Sequence, residues 1–127
     1  REYCCQVLDH TMDMASAPAL ILALSGPAGR VRIAAAHALA CDRCKNDACQ
    51  PAAADVLAPA ISMLASDPDP HVRATAIELA GRWVHSHPAA CQAIEQAAAH
   101  DPSPAVRKKA SWYAPGGTIY CRTKPRT

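Results

Sequence analysis

Large aromatic side chains and long apolar runs are scarce in this sequence. Its 127 residues include no phenylalanine, two tryptophans and three tyrosines, although half of the residues are apolar. A membrane-spanning helix needs about 18 or more consecutive apolar residues, and no such run is present. The apolar segment 19–29 is too short, and lies too far inside the chain, for a signal peptide. We therefore expect no membrane span and a core of small side chains between closely packed helices.

Cysteine is abundant, but the number of cysteines is odd and a secretory signal is lacking. The sequence contains seven cysteines, three of which lie between residues 41 and 49. Disulfide frameworks are typical of secreted proteins and use cysteines in pairs. We therefore expect a cytoplasmic protein in a reducing compartment, with thiols that are free or that bind a metal ion.

The segment 66–84 combines a turn with the start of a helix. Aspartate and proline alternate over residues 67–70, where aspartate suits a helix N-terminus and proline ends the preceding helix. Small apolar residues then recur at helical spacing, namely Val72, Ala76, Leu79 and Ala80. Arg73 and Glu78 fall outside this apolar stripe, and we expect both to face solvent.

Other segments repeat this pattern in register. The Val-Arg pair begins at residues 31, 72 and 106, which gives spacings of 41 and 34 residues. A proline-containing apolar segment precedes the first two pairs, at residues 17–25 and 58–66. Residues 1–11 fit the second helix of one more copy, without its first helix. The unit is therefore a helix, a short loop rich in Asp, Gly and Pro, and a second helix.

The motif Asp-Pro-x-Pro-x-Val-Arg-x-x-Ala, present at residues 67–76 and 101–110, resembles that of HEAT repeats. The resemblance is to the short HEAT-like type also seen in phycobilisome lyases, and it covers about residues 1–113. It implies an all-α fold, a right-handed α-solenoid of antiparallel helix pairs, with about three full repeats plus an N-terminal half repeat. An alanine-rich helical bundle is the alternative.

Two segments depart from the repeat. Residues 41–53 form an insertion, because the spacing of 41 residues exceeds the other one. Residues 114–127 follow the last repeat and contain the helix breakers Pro115, Gly116 and Gly117. We expect a basic, extended C-terminal tail there, which folds Ile119 and Tyr120 back onto the last repeat.

The insertion contains a candidate zinc site. Cys41, Cys44 and Cys49 have the spacing Cys-x2-Cys-x4-Cys, in which thiolates can surround a tetrahedral ion. His37 is the candidate fourth ligand, because it lies four residues before Cys41 and therefore on the same helix face. Free thiols, or a disulfide from Cys49 to one of the other two, are the alternatives. Other candidate fourth ligands are His85, His87 and Cys91.

The repeats favour a protein-binding scaffold, because stacked helix pairs form an extended curved surface lined by the second helices. The candidate partner-binding residues on these helices are Arg32, Arg73 and Arg107. Ion pairs between repeats, for example with Asp67 or Asp101, are the alternative role for these arginines.

Nucleic-acid binding through the basic end is the alternative function. Residues 1–100 have a net charge of −3, whereas residues 101–127 have a net charge of +5. Basic residues interleaved with aromatic ones can contact phosphates and stack on bases. The candidate contacts are Arg107, Lys108, Lys109, Trp112, Arg122, Lys124 and Arg126, together with Tyr113 and Tyr120. HEAT-like alkylpurine DNA glycosylases resemble this architecture but are longer, and a solvated basic tail is the simpler interpretation.

Catalytic motifs are lacking. No Ser-His-Asp arrangement, P-loop or pair of catalytic carboxylates stands out. Deoxyhypusine hydroxylases resemble the fold but use His-Glu pairs, and none of the six histidines here is followed by Glu. The Cys-x-x-Cys pattern lies among helices, without the βαβ setting of thioredoxins. We therefore expect a non-enzymatic protein with a protein partner, and the sequence leaves the oligomeric state open.

Overall fold

The computed structural model describes residues 17–40 and 52–125, and every regular element within these ranges is a helix. The N-terminal half repeat and the three clustered cysteines lie outside these ranges. The α-helices are α1 Ala17–Ala23, α2 Gly29–Ala40, α3 Ala53–Ser66, α4 Pro70–Ala80, α5 Pro88–His100, α6 Pro104–Tyr113 and α7 Thr118–Thr123. A 3-10 helix, Gly81–Trp83, continues α4.

The helices stack as pairs in two rows. Consecutive helices form the pairs α1–α2, α3–α4 and α5–α6, and the members of each pair pack against each other. The second helices form one row, in which α4 packs against both α2 and α6, and α3 packs against α5 in the other row. This arrangement confirms the predicted all-α solenoid of repeated helix pairs. No helix in the described ranges combines the length and the apolar character needed to cross a membrane.

Small side chains bring the rows together. The fully buried core includes the alanines Ala35, Ala36, Ala38, Ala60, Ala76, Ala80, Ala90 and Ala110. Larger residues such as Leu39, Ile77 and Ile94 fill the space between the two rows. Within the row of second helices, Gly81 allows a close approach of α6, because a Cβ atom at this position would overlap the ring of Tyr113. The residues around Gly81 do not predict this contact from sequence.

The alternating Asp-Pro loops determine where the second helices begin. Asp69 is the N-cap of α4, and its side chain accepts a hydrogen bond from the backbone N–H of His71 at 2.8 Å. Earlier in the same loop, the Asp67 side chain accepts a hydrogen bond from the backbone N–H of Asp69 at 2.9 Å. In the loop before α6, the Asp101 side chain accepts in the same way from the N–H of Ser103, also at 2.9 Å. These two equivalent Asx turns fix the loops before α4 and α6 in the same conformation.

The segment after α6 is not extended throughout, in contrast to the prediction. It forms the short helix α7, which packs against α6. Ile119 and Tyr120 are half-buried, so these two residues do fold back as predicted. The Tyr120 ring lies 4.3 Å from the His85 ring, and His85 Nε2 is 3.1 Å from the hydroxyl of Thr123. These contacts from a distant loop supply the helix with stabilisation that its short sequence lacks.

Candidate functional site

The second helix of each pair carries an arginine that binds the loop preceding its own helix. The Nη1 atom of Arg32 donates to the carbonyl oxygen of Gly26 at 2.9 Å. Arg73 donates in the same way to the Asp67 carbonyl at 2.8 Å, and Arg107 to the Asp101 carbonyl at 2.6 Å. The donor and the acceptor are six residues apart in all three cases, so the repeated sequence places the three guanidinium groups alike.

The other edge of the guanidinium group reaches the next helix pair. Arg32 binds the Asp67 carboxylate with two hydrogen bonds, Nε–Oδ2 at 2.8 Å and Nη2–Oδ1 at 3.2 Å. Arg73 binds the Asp101 carboxylate in the same way, at 2.8 and 3.1 Å. Such paired hydrogen bonds are strong because both partners are charged and the planar groups match. We refer to Arg32, Asp67, Arg73, Asp101 and Arg107 as the arginine ladder.

Arg73 and Asp101 form a buried ion pair, which we call a rung of the arginine ladder. Their exposed fractions are 8% and 7%, so the prediction that Arg73 faces solvent is wrong. Burying either charge alone would be costly, and the mutual ion pair offsets that cost. For Arg32 and Arg73, the inter-repeat ion pairs that the sequence analysis considered are present, and they occupy the polar atoms that a partner would otherwise contact.

Arg107 occupies the last position of the ladder. It is half-buried and bonded to the Asp101 carbonyl, but no carboxylate in the described part of the chain pairs with it. Residues 102–125, which follow Asp101 in the described chain, include no Asp or Glu. The Nε and Nη2 edge, which binds aspartate in the two preceding repeats, has no equivalent acceptor among the described residues.

The surface of α6 around Arg107 differs from the corresponding surface of α4. On α4, the positions of this face contact the following helix pair, because Arg73 binds Asp101 and Glu78 accepts from Lys109 at 2.5 Å. When the Val-Arg pairs of the two helices are aligned, Arg73 corresponds to Arg107 and Glu78 corresponds to Trp112. We define the terminal face as Arg107, Lys108, Ser111 and Trp112. Trp112 is 40% exposed and, with Leu22, is one of two exposed large apolar side chains in the described ranges.

The remaining predicted contacts of the basic end are dispersed. Lys109 is engaged in its ion pair with Glu78, whereas Lys108, Arg122 and Lys124 are exposed. Arg126 lies outside the described residues. Tyr113 lies against Gly81, and burial raises the pKa of its phenol group, with a smaller contribution from Glu78 that Arg122 opposes.

The candidate zinc ligands fall only partly within the described chain. His37 is exposed on α2, whereas Cys41, Cys44 and Cys49 lie outside the described residues. The proposed alternatives lie near α5, where the hydroxyl of Ser86 is 2.9 Å from His87 Nδ1. Burial raises the pKa of the Cys91 thiol, and nearby Glu95 raises it further. Within residues 17–40 and 52–125, no group of three or more potential metal ligands converges.

A groove of about 440 Å³ lies between α3 and α5. Small and apolar side chains form much of its wall, and Asp67, Arg73 and His100 lie at its edge. Its Ser66 hydroxyl donates to the backbone carbonyl of Ser62 at 2.8 Å. The described lining therefore shows no serine held against a base, which a nucleophilic site would need.

Comparison with known proteins gives one match. Residues 57–114 match a family model described as HEAT repeats. The matched segment begins in α3 and ends directly after α6, so it includes the Arg73–Asp101 rung and the terminal face. No curated protein and no solved structure matches the chain.

Proposed function

We propose that this chain, in which residues 57–114 match a family model described as HEAT repeats, is a non-enzymatic scaffold that binds a protein partner through the terminal face. HEAT repeats typically serve as protein-interaction scaffolds. The observation that carries the proposal is that Trp112 is exposed on the same side of α6 as Arg107, at positions whose equivalents on α4, Glu78 and Arg73, form ion pairs with the next helix pair.

The composition of the terminal face suits a protein interface. Tryptophan and arginine are the residues most enriched among interface positions that dominate binding energy. Here they lie on one side of α6, with Lys108 one helical turn before Trp112. A partner that covers Trp112 would remove its exposed ring from water, and a partner carboxylate would complete the hydrogen bonding of Arg107.

The polar groups of the described chain support a non-catalytic role. Those in the repeat loops bond to one another in the arginine ladder and the Asx turns, where they hold the helix pairs in register. The groove between α3 and α5 contains no nucleophile–base contact among its described residues. These features are those of a rigid support for a binding surface.

Site-specific photo-crosslinking tests this proposal. A photoreactive residue is placed at position 112, and a matched one at position 22, where Leu22 is 78% exposed at the opposite end of the described chain. We expect a discrete protein adduct from position 112 in cells of the source organism and none from position 22. Trp112→Ala should then weaken binding of the purified partner, whereas Leu22→Ala should not.

Adducts that form only from position 22, or from Gln96 in the α3–α5 groove, would contradict the proposed surface. Nucleic acid is the second candidate partner, favoured by the exposed Lys108, Arg122 and Lys124. Phosphate contacts make affinity fall steeply with salt, because bound counterions are released. An oligonucleotide whose affinity depends steeply on salt and on these three residues, without a protein adduct at position 112, would favour that alternative.

A further inference from the structure

The arginine ladder indicates what the missing partner of Arg107 should be. The guanidinium groups of Arg32 and Arg73 each receive the aspartate of an Asp-Pro loop, the first at Asp67 and the second at Asp101. Arg107 makes the same bond to its own loop but has no described carboxylate opposite it. The terminal face therefore presents the receiving half of a contact that the molecule forms twice elsewhere.

We propose that Arg107 and Trp112 form a receptor for an acidic loop of the protein partner, in which an aspartate is followed by proline at the start of a helix. This inference rests on the proposed function, and it specifies the chemistry of the partner at the same surface. The partner's aspartate takes the place that Asp67 and Asp101 take for Arg32 and Arg73.

The geometry of the two interior contacts explains this preference. In each, one carboxylate oxygen accepts both from the arginine and from the N–H two residues further along its own loop. The intervening residue is a proline, Pro68 or Pro102, which has no N–H and leaves the turn compact. A carboxylate held in such a turn is already oriented, so less side-chain freedom is lost when it binds Arg107.

The receptor side is oriented as well. The bond of 2.6 Å from Arg107 Nη1 to the Asp101 carbonyl restrains one end of the guanidinium group before any ligand arrives. The position of Trp112 corresponds to that of Glu78, which contacts the following helix pair through Lys109. In the same register, the side chain eight residues after the partner's aspartate would lie near Trp112, as Lys109, eight residues after Asp101, lies against Glu78.

Charge favours an acidic partner over a second copy of this chain. Residues 101–127 have a net charge of +5, so two terminal faces would repel each other. In a head-to-tail arrangement, the first described loop of a second copy would present Gly26 at the position equivalent to Asp67. That loop therefore has no carboxylate to offer Arg107.

Arginine side-chain NMR with the full chain tests the proposal. The probe is a synthetic peptide with the sequence of residues 66–84, which carries the Asp-Pro loop and helix of α4, and the matched peptide has Asp67→Asn. We expect saturable shifts of the Arg107 Nε–H signal, with no shift at Arg73. Affinity should be about tenfold or more lower for the asparagine peptide, because a charge-assisted hydrogen bond is lost.

Protein variants distinguish specific recognition of the carboxylate from nonspecific attraction between opposite charges. Arg107→Gln and Arg107→Lys should both reduce affinity for the aspartate peptide to that of the asparagine peptide, since lysine keeps the charge but not the planar fork. Lys124→Gln, which changes an exposed charge outside the terminal face, is the matched control and should bind normally. Far-ultraviolet circular dichroism verifies that each variant remains folded.

Several results would overturn the proposal: no saturable binding at millimolar peptide, equal affinity for both peptides, or full binding by Arg107→Lys. Sedimentation that shows dimers dissociated by Arg107→Gln would assign the surface to a second copy instead. A protein adduct at position 112 together with equal affinity for the two peptides would leave the scaffold function intact and reject only the acidic loop.

Discussion

Arg73 and Arg107 have the same local sequence and the same bond to their own loop, yet the structure uses them differently. Arg73 is buried against Asp101, whereas Arg107 is half-buried without a carboxylate among the described residues. The difference lies in the neighbour, since α4 is followed by an Asp-Pro loop and α6 is followed by Pro115 and two glycines. In a repeat protein, one motif therefore serves as a structural pair in the interior and as an available binding group at a terminal face.

The largest expected effect on stability comes from breaking the buried ion pair between Arg73 and Asp101. Arg73→Met should lower the free energy of unfolding by about 3–5 kcal/mol, because Asp101 then remains buried without its counter-charge. Arg107→Met should cost only about 1 kcal/mol, since it loses one hydrogen bond to a backbone carbonyl. Urea denaturation, monitored by circular dichroism, measures both values.

The double variant Arg73→Met with Asp101→Asn sharpens this comparison. Asparagine still accepts from the N–H of Ser103 but carries no charge, so part of the lost stability should return. Equal losses for Arg73→Met and Arg107→Met would show that the cross-repeat pair does not distinguish the two arginines.

The next effect concerns packing between α4 and α6. Gly81→Ala should destabilise the protein by about 1–3 kcal/mol, because the new methyl group overlaps the ring of Tyr113. The backbone at Gly81 is helical, with φ −61°, so alanine introduces no backbone strain of its own. Thermal unfolding of Gly81→Ala, and of the same variant with Tyr113→Leu, measures the effect. The second substitution should restore part of the loss, and a neutral Gly81→Ala would mean that the helices can move apart freely.

A smaller effect compares the starts of the two second helices. Asp69→Ala should cost about 1 kcal/mol, because the N–H of His71 loses its acceptor. Ser103 holds the same position before α6, but its side chain makes no capping bond. Ser103→Ala should therefore change the urea midpoint very little, and a loss as large as that of Asp69→Ala would be inconsistent with these caps.

The smallest effect at neutral pH concerns Tyr113. Burial raises its pKa in the folded protein above the ordinary value of 10.0. Below that value the phenol is protonated in both the folded and the unfolded state, so Tyr113 adds no pH dependence. As pH rises through the folded pKa, the unfolded state releases its proton first, and the stability of the folded state falls.

Tyr113→Phe should remove this component of the decline, because phenylalanine has no proton to release. The check is the free energy of unfolding of both proteins from about pH 8 to about pH 11. Parallel curves across this range would contradict the raised pKa.

Much of the architecture follows from periodicity along the chain. The spacing of Val, Arg and small apolar residues predicts the paired helices, and the structure forms them at α3–α4 and α5–α6. The candidate site was predictable in part, since Arg107 and Trp112 were both named from sequence. The role of Arg107 could not be distinguished from those of Arg32 and Arg73 by sequence, because the motif around each arginine is the same.

Three features depended on contacts between distant residues. Hydropathy places Arg73 at the surface, but an ion pair with a residue 28 positions away buries it. Gly81 resembles an ordinary helix end until Tyr113 is brought against it. The segment after Tyr113 begins with helix breakers, and residues 118–123 are too few to be helical alone. Packing on α6 and His85 stabilises α7.

The sequence by itself determined the helix pairs, their order and the loops between them, because helical spacing, Asp caps and prolines act within a few residues. Only the tertiary structure decided which arginine is buried and which carries an open edge, because that depends on the charge that the next helix pair places opposite it. The same local chemistry holds the repeats together at Asp67 and Asp101, whereas Arg107 and Trp112 form the surface that we propose for a partner.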